Sequence, residues 1–261
     1  MGRCVMTKRT VLGFLVAHGV ASAMILAGIA SAAAAEIKVF STGAFKEALG
    51  VLAPTFEKSS GHTVVAIPGS TDEIIKRLSA GETLDIVIAP VPLIDQMMQR
   101  GVLIPDSRVD VAKSGIGVAA RMGTPRIDIS TSEAFKKALL EAKSIVLSAG
   151  VSGIYLNGLF RKWGIADQIR SKSITLPGAV PVADALVRGE SEIGFLQVSE
   201  LLPVKGIQFL GPLPTDIQEM TVVTAALSKT AGAADAAKTF VKFLKSPEAL
   251  LVVTKTGLEP D

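Results

Sequence analysis

The chain has 261 residues, with 27 Lys+Arg against 24 Asp+Glu, two His and one Cys. Three of the basic residues, Arg3, Lys8 and Arg9, lie before Glu36 and no acidic residue does, so the sequence from Glu36 onward is charge-balanced. That removes the electrostatic footprint of a nucleic-acid binder, and with Cys4 in the same opening stretch nothing later offers a disulfide or a reactive thiol.

Residues 1–35 read as a cleavable secretory signal peptide. A basic start is followed by an apolar run over 11–30 and by Ser31-Ala32-Ala33-Ala34-Ala35, with Ala33 and Ala35 placed for cleavage before Glu36. The protein is expected in the periplasm as residues 36–261.

Ile37-Lys38-Val39-Phe40 alternates like a short strand, and Ser41-Thr42-Gly43-Ala44 breaks the pattern with small residues. Phe45, Ala48, Leu49, Leu52 and Phe56 then recur at helical spacing. His62, the only His past the leader, is expected on the following surface turn; a lone His gives no basis for a metal site or a catalytic triad. Residues 63–67 form the next strand and Pro68-Gly69-Ser70-Thr71 the next turn. A helix over 72–80 follows, capped by Ser70 or Thr71 and closed by Gly81. The near-continuous apolar run 84–89 predicts a parallel strand covered on both faces, and 93–98 a short helix before Gly101.

A strand over 114–121 leads to Gly123-Thr124-Pro125, where the chain is expected to cross into a second lobe. There the expected elements are a helix (132–142), a strand (144–147) and a helix (154–163), then a strand (173–176), a helix (180–188) and a strand (193–197). Ser148 to Gly153 and Pro177-Gly178-Ala179 are the small-residue turns between them. Strands follow at 207–210 and 220–227, the second being the return crossing, and helices at 233–244 and 246–256 finish the chain.

Repeated strand–turn–helix order predicts an α/β protein of two lobes, each with a parallel-rich sheet flanked by helices. The lobe boundaries are expected at 36–120 plus 222–261 and at 121–221, with two crossing strands as the hinge. Ligands in such sheets bind beyond the carboxyl ends of strands. The candidate residues are therefore Thr42, Gly43, Ala44, Ser70 and Thr71 on one side, and Ser152, Val180 and Gln197 on the other. None is basic. Helix-start N–H groups and hydroxyls can hold an anion without a fixed counter-charge, although Ser and Thr serve as plain helix caps more often.

The motifs Ile37-Lys-Val-Phe-Ser-Thr-Gly-Ala-Phe45, Gly69-Ser-Thr71, Leu84-Asp-Ile-Val-Ile-Ala89, Ser152-Gly-Ile-Tyr155 and Gly194-Phe-Leu-Gln-Val-Ser-Glu200 share their order and spacing with one family. Across 37–258 the chain resembles the periplasmic molybdate-binding proteins of ABC importers. The resemblance implies a Venus flytrap of the type II periplasmic-binding-protein kind, acting as a monomer. It implies an inner-membrane ABC permease as partner and a small anionic ligand, with no cofactor, metal or nucleic acid. It places the oxyanion contacts on Ala44, Thr71, Ser152, Val180 and Gln197. Two positions depart from the pattern: Ala44 replaces a hydroxyl, with Ser41 or Thr42 able to substitute, and Gln197 replaces a tyrosine. Asp72 also sits beside Thr71, where it suits the helix dipole. An amide at 197 suits a carboxylate as well as a metal oxyanion.

Asp106-Ser-Arg-Val-Asp110, Asp128-Ile-Ser130, Ala134-Phe-Lys136, Ser152-Gly-Ile-Tyr155 and Gln197-Val-Ser-Glu-Leu201 also resemble the bacterial aconitate isomerases, a divergent branch on the same fold. That resemblance implies allylic proton transfer as an alternative to transport, and it needs a base. Glu200, Asp72 and Tyr155 are the candidates for it.

Overall fold

The computed structural model describes residues 1–2 and 34–261. The expected leader lies almost wholly outside these residues. Three strand–helix pairs open the fold: β1 (Glu36–Ser41) with α1 (Gly43–Ser60), β2 (Thr63–Pro68) with α2 (Thr71–Ser79), and β3 (Ile86–Pro90) with α3 (Val91–Gln99). All five residues of β3 are buried, as a parallel strand covered on both faces requires. Then comes β4 (Val109–Arg121), longer at its start than periodicity indicated because Val109 to Ser114 alternates only weakly. The next elements are α4 (Ser132–Glu141), β5 (Ile145–Ser148), α5 (Val151–Lys162), α6 (Ala166–Arg170), β6 (Ser173–Leu176), α7 (Ala179–Val187) and β7 (Ile193–Gln197). The chain ends with α8 (Val198–Leu201), β8 (Ile207–Pro212), β9 (Met220–Leu227), α9 (Ala234–Phe243) and α10 (Pro247–Lys255).

The strands run in the order β2-β1-β3-β9-β4-β7-β5-β6, with β8 paired to β4. Two parallel groups, β2-β1-β3 and β7-β5-β6, occupy the two ends. The antiparallel strands β9 and β4 join them. Val109 to Gly115 of β4 pairs with β9, and Ile116 to Ala120 pairs with β7. One strand therefore serves both groups, and β9 pairs β3 as well as β4. Bulges at Asp110/Ala112 and Val118/Ala119 shift its register on either side of the partner change.

The buried side chains follow the same division. Around β1, β3 and β9, Phe45, Leu49, Leu52 and Phe56 of α1 pack on Phe240 and Val253 of the C-terminal helices. Phe56 and Phe240 meet edge to face at 4.9 Å. Around β5 and β7, Phe135, Phe160 and Phe195 form a second core. Asp85 is buried, and its carboxylate accepts the backbone N–H groups of Lys38 (2.8 Å) and Ala233 (2.9 Å), tying β1 to the approach to α9. His62 is half-buried rather than on a free turn. It stacks on Phe56, and its Nδ1 accepts the N–H of Ala35.

Candidate functional site

Parallel pairing places the turns after β1, β2 and β3 along one edge. The N–H of Gly69 donates to Ser41 O (3.1 Å) and that of Thr42 to Ile88 O (3.0 Å), so the α1 and α2 starts are neighbours. Along the other edge Ala149 N–H donates to Leu176 O (2.9 Å), which sets the turn into α5 beside the turn into α7. Gln197 ends β7 on that same edge.

The two edges meet at Gly43. A methyl group there would overlap Glu200 Oε1 and lie 3.5 Å from the Ala179 side chain. The start of α1 thus lies against the start of α7 and against α8. Ser199, fully buried, fixes this docking: its hydroxyl donates to Ala44 O (2.8 Å) and lies 3.4 Å from the Ser114 hydroxyl.

Thr42 holds the cap position of α1 but caps nothing, because its side chain makes no hydrogen bond to the helix. Its Oγ1 is buried, and among the described residues it has no partner. An ordinary threonine cap satisfies a helix N–H and stabilises the helix by about 1 kcal/mol. Gln197 is in a similar state. It is 2% exposed, its Nε2 donates to Thr221 Oγ1 (3.2 Å), and its Oε1 is buried, facing the Glu200 N–H in a capping box at the start of α8 but without a full hydrogen bond to it. Turning the amide would let the Thr221 hydroxyl donate to Oε1 and would free Nε2 instead. Either way one polar atom of the amide is left over.

Glu200 stands between these groups. Its Oε2 accepts the N–H of Gln197 at 3.0 Å. Glu200 is half-buried, and the protein packed around its carboxyl pushes its pKa up to about 7, while the Gln197 N–H pulls the other way. No charged neighbour contributes to that shift.

The remaining candidates separate into distinct roles. Ser70 is a working helix cap, its hydroxyl accepting from Glu73 N–H (3.3 Å), and Thr71 opens α2. Ser152 is buried and shares a hydrogen bond with Ser148 (3.0 Å). Gly153 is needed beside it, since a methyl group there would strike the Ser148 carbonyl. Val180, in the first turn of α7, is 62% exposed. Hydrogen bonds therefore join Ala44 to α8 and Gln197 to Glu200, while Ser70 and Ser152 bond within their own turns.

Of the three nominated bases, only Glu200 is at the junction. Tyr155 donates its hydroxyl to Ile217 O (2.7 Å) and packs on the second core; burial, with Glu219 and Asp216 nearby, pushes its pKa up. Asp72 is exposed in the first turn of α2. Sequence periodicity gave no hint that Ser199 and Glu200 dock on α1, because α8 is a single turn. Among the described residues no cluster of three metal-ligating side chains occurs, and no helix is long and apolar enough to cross a membrane.

The profile described as bacterial extracellular solute-binding protein matches residues 37–259. The chain belongs to that family. Two relatives of this solute-binding protein differ in what their names say. An aconitate isomerase of Pseudomonas sp is 34% identical over 230 residues, covering 86% of this chain and 87% of the relative. The molybdate-binding protein ModA of Rhodobacter capsulatus is 23% identical over 243 residues, covering 92% and 95%. Among solved structures, the periplasmic molybdate-binding protein of Azotobacter vinelandii superposes with a TM-score of 0.72 at 19% identity, covering 86% of this chain and 99% of that one. The fold is that of the periplasmic binding proteins, a mixed α/β sheet flanked by helices.

Proposed function

We propose that this solute-binding protein captures a small anion between its two rows of strand ends, in the periplasm, and delivers it to an inner-membrane ABC permease. In this reading residues 1–35 are removed on export. Residues 36–120 with 222–261 form one lobe, 121–221 form the other, and β4 and β9 act as the hinge. The ligand is held by Thr42, Gly43, Ala44, Ser70, Thr71, Ser152, Val180 and Gln197.

The observation that carries the reading is that two of the three buried polar atoms without partners among the described residues, Thr42 Oγ1 and the free end of the Gln197 amide, lie at this junction, one on each edge, the third being Thr124 Oγ1. A buried polar group left unmatched costs about 1–3 kcal/mol, so a ligand that matched both would recover that cost on binding. The first N–H groups of α1, ahead of Phe45 whose own N–H donates to Thr42 O (3.2 Å), add donors and partial positive charge. Titrating the exported form with molybdate, sulfate, citrate and cis-aconitate while following thermal unfolding tests this. An anion present at 100 times its dissociation constant should stabilise the fold by about 2.7 kcal/mol. Unchanged unfolding with every anion would contradict it.

One observation favours a second reading, isomerisation of an unsaturated tricarboxylate at the same place. Glu200 is a carboxyl tuned near neutrality with no cation beside it, the condition in which a group can both take and return a proton at pH 7. It would remove a proton from the methylene next to the double bond and return one to the resulting allylic carbanion. The aconitate isomerase relative supports this over proton transfer on other substrates. Incubation with cis-aconitate, followed by chromatographic separation of the isomers, should show the trans isomer with the intact protein and none with Glu200→Gln. Equal conversion by the variant would remove Glu200 from the reaction.

A further inference from the structure

We propose that the Glu200 carboxyl is itself part of the anion site and sets what the site accepts: neutral, it hydrogen-bonds the bound anion; ionised, it takes the anion's place at the start of α1, so capture draws one proton from solution. This rests on the reading that a small anion lodges at that junction.

The geometry is the first argument. Glu200 Oε1 fills the space that any side chain at 43 would need, so the carboxyl lies directly on the first turn of α1. That turn ends in N–H groups with no acceptor inside the helix, which is where an anion is best placed. The chain has put its own carboxyl there. Its second oxygen is held by Gln197 N–H, so the group is fixed from β7 while it reaches across to α1. Two unmatched atoms lie close by in the chain, on Thr42, which precedes Gly43, and on Gln197, which opens the turn that carries Glu200.

The charges around Glu200 are the second argument. On α1 the nearest charged residues, Lys46 and Glu47, lie toward the surface and pair with each other at 3.9 Å. On α7 the only one is Asp184, which pairs with Arg188. β7 and β8 carry none, and Glu200 is the only one on α8. On β4, Lys113 pairs with Asp261 (2.8 Å), Asp110 with Arg108 (3.4 Å), and Arg121 is exposed at the far end. In the C-terminal segment that packs on Leu202 and Ser199 through Gly257, Lys255 is exposed and Glu259 bonds the Lys113 backbone. Among the described residues no cation is therefore at hand to neutralise two negative charges at once. An anion and an ionised Glu200 at the same helix start repel each other, and a proton on Glu200 removes the conflict. The carboxyl's position near neutrality makes that proton available in the physiological range.

Calorimetric titration of residues 36–261 with molybdate, sulfate, fumarate and trans-aconitate decides the matter. It is run in two buffers of different ionisation enthalpy and corrected for each anion's own ionisation. The wild type should take up about one proton per anion near pH 8.5, and its affinity should be at least tenfold weaker there than near pH 6.5. Glu200→Gln should show neither effect. Wild-type binding with no proton uptake and equal affinity at both pH values would overturn the inference and leave anion capture standing. Absence of binding by all four anions would overturn both. Should the variant fail to fold, the wild-type proton count still decides.

Discussion

Glu200 makes a statement about stability as well as about binding. Its ordinary pKa is 4.5 and the fold raises it to about 7, so the folded chain holds this proton more tightly than the unfolded one. The stabilisation from that proton is complete below about pH 4.5 and is lost as pH rises through about 7. By the linkage of pKa to free energy it is at most about 3 kcal/mol. Denaturant unfolding without ligand should therefore show Glu200→Gln gaining on the wild type between pH 5 and pH 8. A difference between the two that stays flat with pH would contradict this. At the same scale the sequence marked Thr42 and Gln197 as candidates, but not their state. A threonine before a helix reads as a cap, but in the fold the side chain of this one caps nothing. Glu200 appeared as one of three nominees because distance along the chain does not report that a one-turn helix reaches α1.

Helix starts and strand ends carry most of what was legible beforehand. The strand–turn–helix order was readable because small residues interrupt clear changes of period, and Gly81, expected to close a helix, adopts a φ of 83°. The five-residue α6 and the early start of β4 were not readable. The first is too short to show a period, and the second has polar residues facing a partner strand. Ser152-Gly153 shows how one motif combines two demands. The serine hydroxyl pairs with Ser148, and the glycine lets the first turn of α5 lie on the Ser148 carbonyl. Gly153→Ala should force that turn outward and cost about 1–3 kcal/mol, as overpacking does. Chemical denaturation would measure it, and a loss below a few tenths would show that the turn yields freely.

At the scale of the whole molecule, β4 changes partners from β9 to β7 between Gly115 and Ile116 and so links the two parallel groups, while β9 returns beside it. The order of parallel groups with two extended connections was visible in the sequence, but the partner change within one strand was not, because both halves of β4 face cores of the same apolar character. Contact between the groups runs through Gly43, Ala44, Ala179, Ser199 and Glu200. The proposed anion sits where those contacts converge, so removing one unmatched atom should weaken it without unfolding the chain. Calorimetric titration of the wild type, Thr42→Val and Gln197→Leu with the anion that most raises thermal stability measures this. The account predicts one anion bound per chain and a loss of at least tenfold, about 1.4 kcal/mol, in each variant. Equal affinity in all three proteins, or no binding to the wild type, would contradict it.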